Sequence, residues 1–192
     1  MMIAHYVIIN AEMELNYLGA NSFKFKNKVE TLLINPSTNK EKADVVIMTN
    51  AEKFPTIASV SRSEVFVVKE EGEYELGGVE VIMDRVNEGT IAYVFIDGVR
   101  IAFIEGQKLE LPEKQLEKLN ESDVMLVPIN LDRSVLDTLD PYILIPYGQL
   151  SSAEVDKFVS DNKFGTVVSN LDKIKLNPEN LPEDTQVWVL NA

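Results

Sequence analysis

Short segments rich in Val, Ile, Phe and Tyr, separated by Gly or Asn, crowd the first half of the chain and predict β-strands. Two of the turns between them are specific. Gly77-Gly78 is a two-residue hairpin signal, and Asp97-Gly98 is a stronger one, because a type I′ turn needs positive φ at both central residues. The predicted strands of this half are 4–9, 14–18, 22–26, 31–34, 45–48, 65–69, 73–76, 79–83, 91–96 and 100–104.

In the second half of the chain the spacing of the apolar residues changes. Segments with apolar residues at helical spacing now alternate with short continuous apolar runs. Ser151 and Glu154 form a capping box that opens a helix whose apolar face carries Val155, Phe158 and Val159. Two shorter helices are predicted at 112–119 and 134–139. The predicted strands here are 123–127, 142–145, 166–169 and 186–190.

Many antiparallel strands followed by alternating strands and helices favour two sheets with helices on the outside. We therefore predict an α/β (α+β) protein, a four-layer αββα sandwich of two mixed sheets. No linker or internal repeat divides residues 1–192, so we expect a single domain. The best core candidates, taken from the most apolar strands, are Val46, Ile47, Phe103, Leu126 and Ile145.

Composition narrows the classes of function. The net charge of −13 disfavours a nucleic-acid partner and binding to anionic membranes, since both rely on Lys and Arg. The absence of cysteine excludes disulfides, thiol nucleophiles and Cys-ligated metals. No basic leader and no long apolar run is present, so we expect a soluble cytoplasmic protein.

Several segments together resemble the metallo-β-lactamase superfamily, and most of all its small bacterial branch related to ascorbate-6-phosphate lactonases. The stretch LNYLGANSF (15–23) is similar to an opening W-L-G-H-S-x-F hairpin, and LLINP (32–36) is similar to I-L-I-D-P. ADVVIMT (43–49) is similar to the strand that delivers the T-H-x-H-x-D-H motif. GEYELGGV (72–79), SDVMLVPI (122–129) and PYILIPYG (141–148) extend the resemblance, which is strongest over 14–165.

The resemblance implies a hydrolase in which histidines and aspartates hold two metal ions that activate a water. This chain departs from that pattern at each matching ligand position. The motif after Thr49 becomes NAEKFP (50–55), the aspartate of a Gly-Asp step becomes Gln107, and the last histidine falls near Tyr147. The vestigial site is thus predicted at Asn50, Glu52, Phe54, Gln107 and Tyr147.

The only histidine of the chain, His5, precedes the matching region, and we interpret it as a strand residue. An alternative site remains open, because Glu52, Asp84, Glu105 and also Asp132 could approach the same pocket. Carboxylates alone suit Mg²⁺ or Ca²⁺ rather than zinc.

Two functions follow. The first is a catalytically inactive, metal-free member of the fold, without a cofactor, that binds a protein or small-molecule partner and could form a homo-oligomer. The second is a hydrolase of phosphoesters or lactones with a rebuilt carboxylate metal site. A shared fold cannot separate the two functions.

Overall fold

Two β-sheets lie face to face in the computed structural model, which describes residues 12–38, 41–50, 65–162 and 164–192. The first nine strands follow one another without a described helix between them: β1 (Met13–Gly19), β2 (Ser22–Lys26), β3 (Thr31–Ile34), β4 (Val45–Ile47), β5 (Phe66–Val68), β6 (Gly72–Leu76), β7 (Val79–Val86), β8 (Gly89–Ile96) and β9 (Val99–Glu105). The remaining elements are α1 (Glu113–Asn120), β10 (Val124–Pro128), α2 (Arg133–Leu136), β11 (Ile143–Tyr147), α3 (Ser152–Asn162), β12 (Thr166–Leu171), β13 (Ile174–Leu176) and β14 (Gln186–Leu190).

Both sheets are mixed. The smaller sheet has the order β13-β1-β2-β3-β4-β5, with β3, β4 and β5 parallel to one another. The larger sheet has the order β12-β14-β11-β10-β9-β8-β7-β6, with β9, β10 and β11 parallel. The carboxyl ends of parallel neighbours meet at one edge of a sheet, so each sheet presents a set of loops there.

Two hairpins and one helix start match their sequence signals. The turn at Gly77-Gly78 joins β6 to β7, with φ of 54° and 99°, and Asp97-Gly98 joins β8 to β9, with φ of 51° and 81°. At the start of α3 the N–H of Ser151 donates to the Glu154 carboxylate at 3.0 Å, and the N–H of Glu154 donates to the Ser151 hydroxyl at 3.3 Å. These are the reciprocal bonds of a capping box.

The main core fills the space between the sheets, and a second core lies under the three described helices. Ile47, Phe103, Leu126 and Ile145 belong to the inter-sheet core, as predicted. Val46 is buried too, but on the outer face of the smaller sheet. The helices pack on the outer face of the larger sheet, and each contributes buried residues to the second core: Leu119, Val135, Leu136 and Phe158.

The predicted fold class is confirmed, since two mixed sheets form a sandwich. The described helices lie on the larger sheet only, so the helical layer predicted outside the smaller sheet is not seen among the described residues. Single elements also differ from the prediction. Strand β13 was not predicted, because it has only three residues and its pairing with β1 involves a segment 159 or more residues away. The helix predicted at 134–139 is shorter, ending at Leu136. The strand predicted at 4–9 lies outside the described residues. No helix in the described part of the chain has the length and apolar character needed to cross a membrane.

Candidate functional site

A cavity of about 590 Å³ opens where the carboxyl ends of β9, β10 and β11 face the loop that follows β4. Small-molecule sites commonly have volumes of roughly 300–1,000 Å³, and in α/β sheets they lie at such strand ends. The cavity brings Asn50, Gln107 and Tyr147 together, the three members of the predicted vestigial site that the structure describes. The other two members, Glu52 and Phe54, lie outside the described residues.

The alternative carboxylate set is not assembled at this cavity by the described residues. Glu105 lines the cavity, whereas Asp84 does not, and its carboxylate instead accepts from the Lys118 ammonium at 2.9 Å. Asp132 also lies elsewhere, as the N-cap of α2. It accepts from the backbone N–H of Ser134 at 2.8 Å and from the Ser134 hydroxyl at 2.7 Å, and these bonds lower the pKa of Asp132.

A directed hydrogen-bond chain runs along the wall of the cavity through Asn35, Thr49 and Glu105. The Asn35 side-chain amide donates to the Thr49 hydroxyl at 2.7 Å, and its carbonyl oxygen accepts from the Thr49 N–H at 3.0 Å. The Thr49 hydroxyl in turn donates to the Glu105 carboxylate. Because Asn35 and Thr49 are fully buried and a hydroxyl has only one hydrogen to donate, the chain has a fixed direction.

Arg85 is the cation among the described residues that line the cavity. Its guanidinium donates to the Thr49 carbonyl at 2.7 Å, to the Thr90 hydroxyl at 2.9 Å and to the Lys69 carbonyl at 3.1 Å. Thr49 follows a strand of the smaller sheet, whereas Arg85 and Thr90 belong to the larger one, so this fork joins the two sheets. A planar guanidinium can bind several acceptors in fixed directions, which a lysine cannot.

Tyr147 lines the cavity and packs with its ring against the aromatic residues of the inter-sheet core. The ring of Tyr147 stacks on Phe103 at 5.2 Å between centroids, and its hydroxyl donates to the Ile104 carbonyl at 2.6 Å. Phe23 contacts Tyr147 edge to face at 5.7 Å. Burial, with a further contribution from the Glu105 carboxylate, raises the pKa of Tyr147 well above its usual value. Tyr147 is therefore a neutral, hydrogen-bonded structural group at neutral pH.

Carboxamides make up an unusual share of the lining. Five of its 17 residues are Asn or Gln, whereas the chain has 15 Asn and 4 Gln among 192 residues. Sequence reasoning singled out Asn50 and Gln107 but missed Asn21, Asn130 and Gln149. The last two follow strands that were predicted at 123–127 and 142–145, whereas the observed strands end at Pro128 and Tyr147. The signal that could have identified Asn130 and Gln149 is their place in the loops just after these strands.

The side chains in the cavity do not fit the metal centre of the family that the sequence resembles. That centre needs several imidazoles, and the chain has one histidine. At two of the matching positions the cavity offers neutral amides, Asn50 and Gln107, which are weak ligands for zinc. No group of three or more His, Asp or Glu side chains converges as a metal site within the described ranges.

Comparison with solved structures shows the same fold. A Thermotoga maritima protein assigned as a Zn-dependent hydrolase of the metallo-β-lactamase superfamily superposes with a TM-score of 0.73 at 19% identity, over 94% of this chain and 100% of that one. A Parabacteroides distasonis protein assigned as a metal-dependent hydrolase gives 0.63 at 14% identity, over 79% and 90%. The metallo-β-lactamase fold protein YhfI from Bacillus subtilis gives 0.62 at 6% identity, over 94% and 97%.

Sequence comparison identifies the family. No curated protein matches the chain. The family model of the β-lactamase superfamily domain, however, matches residues 14–141, which is more than half of the chain and extends from the second residue of β1 to beyond β10. Taken with the two facing mixed sheets and the cavity at their strand ends, this match shows that the protein belongs to the metallo-β-lactamase superfamily.

Proposed function

We propose that this protein is a metal-free, catalytically inactive member of the superfamily that binds a small molecule in the cavity at its strand ends. The observation that carries the proposal is the set of side chains in that cavity. Asn50 and Gln107 stand where the resemblance places metal ligands, and a single histidine is present in the chain. The fold is retained while the donor atoms that a zinc-activated water requires are replaced.

The surroundings of Glu105 also favour binding over hydrolysis. Its carboxylate already accepts from Thr49, inside a chain of hydrogen bonds that supports the wall. The Arg85 guanidinium donates to two backbone carbonyls and to the Thr90 hydroxyl rather than to the position of a leaving group. Both charged groups thus support the shape of the cavity.

The rebuilt hydrolase is the competing function, and metal dependence separates the two. If the protein had a site for Mg²⁺ or Ca²⁺, a free ion concentration one hundred times the Kd would stabilise the fold by about 2.7 kcal/mol. In a domain of this size that is a rise in Tm of roughly 5 °C. A metal-free protein has no such response, because no binding free energy is coupled to folding.

The experiment combines metal content, melting and activity on protein purified without chelators. We expect less than stoichiometric metal, the same Tm with EDTA, Zn²⁺, Mg²⁺ or Ca²⁺, and no hydrolysis of generic phosphodiesters or lactones. Glu105→Gln serves as a matched variant, since it removes the cavity carboxylate of the alternative site. Stoichiometric metal, or a metal-dependent Tm that Glu105→Gln abolishes, would establish the rebuilt site instead.

A further inference from the structure

Three carboxamides occupy the same position after three neighbouring parallel strands. Gln107, Asn130 and Gln149 each lie two residues beyond the end of β9, β10 and β11. Since β10 is paired in parallel with both other strands, the three loops leave the sheet side by side. Adjacent strands are about 4.8 Å apart, so this amide row extends over roughly 10 Å of the cavity.

The amide groups of this row are available to a ligand. Gln107, Asn130 and Gln149 are exposed, and their side chains form no hydrogen bond with any other residue that the structure describes. Asn21, in the β1–β2 turn across the cavity, is half-buried and equally without such a bond. A carboxamide offers two donor hydrogens and an acceptor oxygen on one planar group. It therefore complements a hydroxyl, which also donates and accepts.

The charges of the described lining residues disfavour an anionic ligand. Glu88, Glu105 and Glu154 line it together with one described cation, Arg85. The guanidinium already donates to three oxygens of the protein, so it is poorly placed to neutralise a phosphate or carboxylate. A like charge brought against these carboxylates weakens binding, whereas a neutral polar molecule has no such penalty.

The described part of the cavity wall also offers no surface on which a flat ring could stack. Tyr147 is the one aromatic residue among the described lining residues, and its ring is buried against Phe103 with 5% of the residue exposed. A flat aromatic ligand gains affinity from stacking on aromatic rings, which the described lining residues do not offer. Hydrogen bonding to amides must supply the recognition instead.

We infer that the cavity binds a neutral, polyhydroxylated small molecule of the sugar or polyol class, held by the amide row of Gln107, Asn130 and Gln149. The inference rests on the proposed binding function and names its ligand class. The volume of about 590 Å³ leaves room for a monosaccharide with its bridging water. The hydroxyls of such a ligand, spread along its carbon chain or ring, can meet several amides at once.

Isothermal titration and thermal shift with matched neutral and charged sugars test this. The probes are glucose, ribose and myo-inositol, each compared with a charged counterpart: glucose 6-phosphate, ribose 5-phosphate and inositol monophosphate. We expect at least one neutral probe to bind about tenfold or more tightly than its phosphate, a difference of about 1.4 kcal/mol. Asn130→Asp and Gln149→Glu keep the side-chain shape but remove donors and add charge, so each should weaken neutral-sugar binding by about tenfold.

Asn170→Asp is the matched control, because Asn170 is exposed, lies outside the cavity lining and gains the same charge. It should leave sugar binding unchanged. Tighter binding of a phosphorylated probe, or equal losses in the control and the cavity variants, would overturn the inference. If no neutral probe binds while metal content and activity stay at background, the ligand class is wrong and the metal-free assignment stands. Stoichiometric metal with hydrolysis would contradict the proposed function itself.

Discussion

The hydroxyl of Thr49 donates a hydrogen bond to the carboxylate of Glu105, and this bond connects the two sheets at the wall of the cavity. Thr49 lies two residues beyond β4 of the smaller sheet, and Glu105 ends β9 of the larger sheet. Because Thr49 also accepts from Asn35, one buried side chain satisfies polar groups on both sides. The site and the packing of the sheets are therefore coupled at this residue.

Thr49→Val should destabilise the protein by about 1–3 kcal/mol, because it leaves the Asn35 amide and the Glu105 carboxylate without their partner. Chemical denaturation in urea measures the change. Thr166→Val on the exposed surface of β12 is the control and should shift stability by less than about 0.5 kcal/mol. Equal stabilities of the two variants would show that the hydrogen-bond chain contributes nothing.

Arg85→Lys should also lower stability, by roughly 1–3 kcal/mol, although it keeps the charge. An ammonium cannot span the Thr49 carbonyl, the Thr90 hydroxyl and the Lys69 carbonyl as the guanidinium does. Arg133→Lys provides the comparison, since Arg133 makes an exposed i,i+4 ion pair with Asp137, a type of pair that contributes about 0.3–0.5 kcal/mol. A thermal melt in which both variants behave alike would contradict the structural role of Arg85.

Asn35→Asp should make stability depend on pH in the acidic range. The introduced carboxylate has no hydrogen for Thr49 and faces, through that hydroxyl, the carboxylate of Glu105. Burial beside a like charge raises the pKa of a carboxyl group, so the folded state of the variant binds a proton more tightly than the unfolded state. Its stability is then retained at low pH and lost as pH rises through the raised value.

Asn170→Asp is a close control, because both asparagines have left-handed backbone angles, with φ of 46° for Asn35 and 61° for Asn170, but Asn170 is exposed. Urea midpoints compared between pH 4 and pH 7 should fall with rising pH for Asn35→Asp alone, relative to the unsubstituted protein. The same pH profile in both variants would rule out the buried environment as the cause.

The buried tyrosines predict alkaline unfolding. Burial raises the pKa of Tyr17, Tyr93 and Tyr147 above the usual value of about 10. The folded state therefore holds these protons after the unfolded state has lost them, so stability is complete below about pH 10 and falls as pH rises further. Phenolate absorbance and circular dichroism should change together. Titration of all six tyrosines while the native dichroism persists would contradict this.

Tyr93→Phe and Tyr147→Phe form a matched pair. The Tyr93 hydroxyl is buried without a hydrogen-bond partner among the described residues, whereas the Tyr147 hydroxyl donates to Ile104. Removing the first should be neutral or stabilising, and removing the second should cost about 1 kcal/mol, since the Ile104 carbonyl loses its partner. Differential scanning calorimetry should place the Tm of Tyr93→Phe above that of Tyr147→Phe. The reverse order would contradict the different hydrogen bonding of the two hydroxyls.

The fold could be predicted because most strands carry a local signature. Runs such as β10 and β11 are buried along their whole length, and the hairpin glycines mark their turns directly. Strand β13 carried no comparable signal, since its three residues form a strand only by pairing with β1. That contact depends on the tertiary structure, which local sequence does not contain.

The sequence pointed to residues of this cavity only where the family resemblance gave positions, as at Asn50, Gln107 and Tyr147. Arg85 was missed because its role depends on Thr49 and Thr90, which lie on different sheets. The position of Asp84 outside the cavity could likewise not be predicted from the sequence. Whether a side chain on β7 meets the cavity or a lysine of α1 depends on which face of the sheet it occupies, and it meets Lys118.

The amide row belongs to neither hydrophobic core. Gln107, Asn130 and Gln149 are exposed residues in loops, while the strands that carry them are buried. Replacing these three side chains removes little apolar contact, so such substitutions should change the free energy of unfolding very little. The side chains of the amide row can therefore differ from one family member to another while the two sheets that carry them stay the same.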